Sequence, residues 1–273
     1  MKIAVIILHY GLIETTKNCL ENLSSKIEDH QLILINNSVD DIKPLSKIIK
    51  NTILIDNHKN LGFAKGVNQG IMRGLKDKNV CAIFLMNNDL KLTHGGFNQL
   101  ILVLNKIPSA GIVTPILHHR GGYDWGAKLN KWTGVVRHKN WDNKPKTIQP
   151  AQHVAAAGML IRRKLIDKIG LFDERFFLYY EDVDYCLRAF DSLSTIHITP
   201  DVEAEHIGSA GSSLTSRTRY QWVSHFRFIN KYIFKHVYPT AYLYALIMYP
   251  LFMLKNILMG SKTWISRLLL SSP

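Results

Sequence analysis

The chain is short of several things, and each shortage narrows what it can be. Its 273 residues include only three cysteines, Cys19, Cys81 and Cys186. They lie too far apart for a metal-ligand motif and are too few for a disulfide framework, which points to a reduced, cytosolic setting. The first apolar run, Ile3 to Leu8, is short and preceded by a single lysine, so it reads as a first strand rather than a signal-peptide core or membrane span. No G-x-G-x-x-G follows that strand, which argues against a nicotinamide dehydrogenase. Internal repeats and low-complexity segments are also lacking. Acidic residues stop at Glu205: positions 1–205 hold 26 Lys+Arg and all 21 Asp+Glu, whereas 206–273 hold 8 Lys+Arg and no acid. The net charge of +13 is therefore concentrated in the tail.

What is present is an alternation of strand and helix. Apolar runs at 3–8, 32–35, 53–55 and 82–86 each end in polar or glycine-containing sequence. Between them, Thr15 and Thr16 can cap a helix carrying Cys19, Leu20 and Leu23, and GFAKGVNQGIMRGLK places Phe63, Val67, Ile71 and Leu75 on one face. Such alternation predicts an α/β fold with a mostly parallel sheet and flanking helices. From 114 to 150 the pattern loosens into hairpins and loops over a site, then AAAGMLIRRKLIDKIG predicts a helix opening at Arg162–Lys164 and ending at Gly170.

The residues that could do chemistry each admit a plainer role. Asn87-x-Asp89 ends an apolar run and offers oxygen ligands to a hard divalent cation, but Asn and Asp also make turns. Glu181, Asp182 and Asp184 follow an aromatic run; mutual repulsion and burial could make a proton acceptor of them, or they could simply favour a helix N-terminus. Arg188, one turn beyond Asp184, can pair with it. His206 follows a strand-like segment, and NLGFAKGVNQG sets a polar glycine turn before a helix, as phosphate binding requires. A lone histidine is usually structural, and the glycine turn is weak by itself.

In order and spacing, ILHYG, NNSVDD, NLGFAKGVNQG, LMNNDL and GLFDERFFLYYEDVDYCLRA, followed by a late histidine, resemble the inverting glycosyltransferases of family 2, especially rhamnosyltransferase-like and galactofuranosyltransferase-like enzymes of bacterial surface polysaccharides. The resemblance covers about residues 1–212 and implies the GT-A nucleotide-diphospho-sugar transferase fold. It implies a metal site for Mg²⁺ or Mn²⁺ at Asn87, Asp89 and His206, facing the diphosphate of a nucleotide-sugar donor. Asn87 stands where the motif's first aspartate would be, which leaves Asp89 as the one full carboxylate. The resemblance further implies donor contacts from His9, Tyr10, Asn36, Asn60, Gly62, Lys65, Asn68, Asn87 and Asn88. Asp182 matches the general base, and Glu181, Asp184, Tyr180 and Trp125 match positions around the acceptor. Trp125 and Trp132 could stack on a sugar ring or serve packing. Asn36 replaces a more usual aspartate, so UDP and dTDP both remain open.

Two regions are expected: a catalytic domain at 1–215 and a basic, aromatic helical region at 216–273. The window AYLYALIMYPLFMLKNILMG is apolar but interrupted by Pro250 and Lys255, favouring amphipathic helices lying in a membrane interface over buried helices, an oligomer contact or a true span. The expected partners are thus a nucleotide sugar, a lipid-linked glycan acceptor and the inner face of the plasma membrane, with a homodimer as a further option. A pI of about 9.6 also suits a nucleic-acid binder, but the charge sits beside an apolar segment and no base-reading module is recognisable. An inactive nucleotide-sugar-binding relative is the other alternative.

Overall fold

The structure, a computed structural model, describes residues 2–27, 30–119, 122–206, 214–233 and 237–269. Four strands stand where the apolar runs predict them: β1 (Lys2–His9), β2 (Gln31–Asn36), β3 (Ile53–Asp56) and β4 (Val80–Asn87). They are followed by β5 (Leu90–His94), β6 (Ala110–His119), β7 (Gly122–Leu129), β8 (Val136–Trp141), β9 (Gln149–Pro150), β10 (Gly158–Arg162) and β11 (Thr195–His206). Among the described residues these form one sheet with the order β3-β2-β1-β4-β10-β6-β11-β5, to which β7, β8 and β9 attach. Strands β3, β2, β1, β4, β6 and β11 run the same way, while β10 and β5 oppose them. The sheet is therefore mostly parallel, and the ends of β1, β2, β4 and β11 deliver His9, Asn36, Asn87 and His206 to one edge.

The apolar runs are continuous because both faces of the sheet are covered. Along β1, Ile3, Val5 and Ile7 enter one core while Ala4, Ile6 and Leu8 enter the other, following the two-residue strand period. The helices covering the sheet are α1 (Ile13–Leu23), α2 (Phe63–Gly74), α3 (Phe97–Lys106), α4 (Arg163–Ile169) and α5 (Glu181–Asp191). Helix α2 lies close on the sheet: a Cβ at Gly66, Gly70 or Gly74 would come within 2.6–2.8 Å of Leu8, Ile6 or Ala4. Gly170 ends α4 in the left-handed region, as expected.

Two local expectations are corrected, and one strand is added. Helix α1 starts at Ile13 with no side-chain cap, because Thr16 is buried inside it and bonded elsewhere. Residues 114–119 continue the strand β6, and only from 122 does the chain turn into hairpins; β6 pairs β11 in parallel and is held by that long-range partner. Strand β5, whose sequence LKLTH alternates and holds no apolar run, forms because β11 supplies its ladder.

After β11, α6 (Leu214–Tyr232) and α7 (Tyr238–Leu269) make a hairpin. Phe228, Ile229 and Ile233 of α6 and Ala241, Ala245 and Tyr249 of α7 share a core with Phe176, Tyr180 and Val183. The tail is thus packed onto the start of α5. Pro250 lies inside α7 without splitting it.

Candidate active site

The β4 strand ends in a turn at Asn88-Asp89, so the plain reading of that motif and the functional one coincide. Asp89 Oδ1 lies 3.1 Å from His206 Nε2, and the Asn87 amide is 3.4 Å from the same nitrogen. An amide, a carboxylate and an imidazole, the first and last 119 residues apart in sequence, meet because β4 and β11 end at one edge. Among the described residues no group of three His, Cys, Asp or Glu side chains forms a cage. This sparse set fits a hard cation of the Mg²⁺ or Mn²⁺ kind, which shares its coordination with water and substrate phosphates. Residues 207–213, following His206, lie outside the described residues.

The β1–α1 loop closes on the same turn. Thr16 Oγ1 is 2.7 Å from the buried His9 Nδ1 and accepts a hydrogen bond from Asn88 Nδ2 at 2.8 Å; Asn88 also donates to the Tyr10 carbonyl at 3.2 Å. The other ring nitrogen of His9, Nε2, lies 3.7 Å from Asp40. Burial lowers the pKa of His9, and the nearby Asp40 opposes that effect only in part. Thr16, expected only as a helix cap, and Asp40, not singled out in the sequence, shape this corner, while Tyr10 remains 41% exposed.

Several expected donor residues turn out to build the loop that would hold a donor. Asn36 is fully buried: its Nδ2 donates to the Asp40 carbonyl and to Asp56, and its Oδ1 accepts from Ser38 N–H and Oγ–H. Those bonds occupy its amide, so the expected base contact is corrected; the loop leaves two carboxylates accessible, Asp40, at 42%, and the exposed Asp41. Asn60 Oδ1 accepts from Gly62 N–H at 2.8 Å and from Asn37. Gly62, at φ +85°, fits where a Cβ would strike the Phe177 carbonyl at 2.5 Å, and Phe63 N–H bonds that same carbonyl. Asn68 is likewise corrected: its buried amide donates to the Phe172 carbonyl and accepts from Phe172 N–H, pinning α2 to the segment before α5. Lys65 remains exposed in the first turn of α2.

Two tyrosines, Tyr179 and Tyr180, both at φ +68°, precede the acidic helix start. Consecutive non-glycine residues in the left-handed region are costly and persist only where their surroundings hold them. Tyr180 is held by stacking on His225, with ring centroids 5.3 Å apart, and by Phe228. It is a packing residue between α5 and α6, which corrects its expected place at the acceptor. Asp184 is corrected for the same reason: it is fully buried, bonded to Arg188 and Tyr232 and ion-paired to Lys231.

Glu181 and Asp182 have opposite environments. Burial raises the pKa of Glu181 well above the carboxylate range, and the neighbouring Asp182 charge adds to this. Burial also opposes ionisation of Asp182, yet His153, His138 and the Val183 N–H outweigh it and hold its pKa low. Asp182 keeps about a fifth of its side chain accessible, whereas Glu181 is 5% exposed. Adjacent carboxylates driven apart in this way suit different roles, and Asp182 is the charged one. His153, whose Nε2 is 3.4 Å from Asp182 Oδ1, carried no signal in the sequence because it stands alone, with no motif around it. Trp125 is half-buried against the core of β7, and Trp132 is 63% exposed.

Comparison with known proteins bears on this arrangement. The profile of the family described as Glycosyl transferase family 2 matches residues 4–170, which includes the Asn87–Asp89 turn and stops short of Asp182 and His206. The chain is similar to the low-salt glycan biosynthesis hexosyltransferase Agl10 of Haloferax volcanii, 24% identical over 68% of this chain and 61% of that protein. It is similar also to the dTDP-rhamnosyl transferase RfbF of Shigella flexneri, 23% identical over 72% of this chain and 68% of the relative. A third relative, the N-acetylglucosaminyl-diphospho-decaprenol L-rhamnosyltransferase of Mycobacterium tuberculosis, is 24% identical over 56% of this chain and 58% of its own length. The match thus spans about three fifths of Agl10. Among solved structures, that of GalNAc-T7 with UDP, GalNAc and Mn²⁺ superimposes with a TM-score of 0.66 at 13% identity, over 84% of this chain and 48% of that one, a likeness of fold.

Proposed function

The chain belongs to glycosyl transferase family 2, and from that premise we propose that it moves a sugar from a UDP- or dTDP-linked donor to a hydroxyl of a lipid-linked glycan, with inversion at the anomeric carbon, in the synthesis of a bacterial surface polysaccharide. The observation that carries this reading is the meeting of Asp89 and His206 at 3.1 Å on the edge where the strand ends converge. Ala157 bonds to Asn87 across that edge, and His153, four residues earlier, reaches Asp182. In this reading the diphosphate side and the proposed base belong to one site.

In this reading Lys65, Tyr10 and Asp40 meet the donor, while Asn36, Asn60, Gly62, His9 and Asn88 keep their loops in shape. Asp89, His206 and Asn87 would hold Mg²⁺ or Mn²⁺, which when bound supplies positive charge against the diphosphate as it departs. Asp182 accepts the proton of the acceptor hydroxyl as its oxygen bonds to the anomeric carbon from the face opposite the diphosphate. Calorimetric titration of UDP and of dTDP, each with and without Mn²⁺, tests the donor half. Wild type is expected to bind one of them in a Mn²⁺-dependent manner, and Asp89→Ala to lose that dependence; unchanged binding in the variant would refute the site.

We further propose that α7 rests on anionic membrane from the cytoplasmic side. No helix among the described residues is long and apolar enough to cross a bilayer. Yet Leu243, Leu246, Ile247, Leu251 and Leu254 form a stripe 49–58% exposed, opposite the face that Ala241, Ala245 and Tyr249 pack inward. An apolar stripe on a segment with basic and no acidic residues suits an anionic interface. Leu246→Glu with Leu251→Glu should reduce co-sedimentation with phosphatidylglycerol vesicles severalfold. Unchanged vesicle recovery, with a dimer dissociating instead, would assign the stripe to a second copy.

A further inference from the structure

Behind Asp182 stands a group of side chains that the proposed chemistry has not used. Asp124 on β7 divides its carboxylate: Oδ1 accepts from Gly126 N–H at 2.8 Å and Oδ2 lies 2.8 Å from His138 Nδ1 on β8. The His138 ring meets the His153 ring edge to face at 5.6 Å. His153 is 4% exposed, its Nε2 faces Asp182 at 3.4 Å, and among the described residues neither ring nitrogen makes a hydrogen bond.

The backbone is arranged around this contact. Register slips between Asp124 and Ala127, a bulge of the kind that re-aims side chains next to sites. Gly126, at φ +79°, occupies a place where a Cβ would come 2.7 Å from the His153 carbonyl, and Ala127 N–H bonds that carbonyl at 2.9 Å. The hairpin thus grips His153 by its main chain and supports it from behind through His138 and Asp124.

We propose that His153, backed by His138 and Asp124, is a positioning residue that keeps the Asp182 carboxylate charged and aimed toward the acceptor hydroxyl. This rests on the reading of Asp182 as the base. The groups that face Asp182 are Glu181 and Cys186 from its own helix, Tyr180 before it, and His153 and His138 from the hairpin side. Of these only the two histidines can bring positive charge. Asp124 is the largest influence raising the pKa of His138, so that ring stays cationic to higher pH than a free imidazole. A cation beside a carboxylate lets it remain ionised to lower pH; removing the cation makes it protonate at higher pH.

The test is the titration of Asp182 itself, followed by its carboxyl ¹³C resonance in the full chain and identified by its loss in Asp182→Asn. His153→Gln should raise the midpoint by about one pH unit. His138→Gln, at a side chain 42% exposed and therefore safe for folding, should raise it by less. With dTDP-rhamnose as donor probe and dTDP release as readout, the acid limb of kcat/KM should move up equally, giving about tenfold slower turnover below it. A purely structural histidine would lower activity at all pH values alike. Unchanged midpoints in both variants, beside an inactive Asp182→Asn, would overturn the role of His153 alone; turnover surviving in Asp182→Asn would remove the base and this proposal with it.

Discussion

Asp182→Asn is expected to lower kcat by about a thousandfold, within the range that a positioned general base contributes, while leaving nucleotide binding within twofold of wild type. The substitution keeps the shape of the side chain, and an amide oxygen can still accept from Val183 N–H, the 2.8 Å bond that Asp182 makes at the start of α5. What it removes is the capacity to take a proton. Glu181 is poorly placed to replace it: it is buried, its Oε2 has no hydrogen-bond partner, and its environment favours the neutral acid. The measurements are steady-state release of dTDP or UDP with acceptor present and calorimetry of the nucleotide alone. A loss below tenfold would mean that another group accepts the proton, and Glu181→Gln would then be the informative variant.

The largest effect on stability is expected at Asp184. Asp184→Ala should cost about 3 kcal/mol, as breaking a buried pair by removing one partner does. The carboxylate is fully buried and binds Arg188 Nε at 2.9 Å, Tyr232 Oη at 2.6 Å and the Lys231 ammonium. Arg188 in turn holds the Ile169 and Leu171 carbonyls, so the network ties α4, α5 and α6 together. Lys231 keeps a second partner in Asp173, which is why the figure lies at the low end for a buried pair. Urea denaturation should show the midpoint falling with the slope unchanged. A loss under about 0.5 kcal/mol, the range of an ordinary surface change, would mean that α6 is held by its apolar contacts alone.

The two variants also separate what adjacent acids do in one short helix. Asp182 and Asp184 are two residues apart, so they leave the helix on different sides. One meets His153, with His138 of the hairpin behind it, and the other meets Lys231 and Tyr232 of α6. Grouping both with the acceptor treats carboxylates near in sequence as near in function, and the helix geometry divides them.

Much of the architecture was legible in the sequence for a physical reason: strands buried on both faces must be apolar throughout, so the runs at 3–8, 32–35, 53–55 and 82–86 announce β1 to β4 and the polar residues ending them. The turn at Asn87–Asp89, the acidic start of α5 and the family itself followed from local order along the chain. Tertiary structure alone decided the pairings. It brought His206 to Asp89 by running β11 parallel to β6, and it filled the amides of Asn36 and Asn68 with partners up to 106 residues away. It also turned His153 toward Asp182 through a bulge in a distant hairpin. Burial and hydrogen-bond saturation depend on what the chain brings alongside a residue from elsewhere, and no spacing along the chain records that.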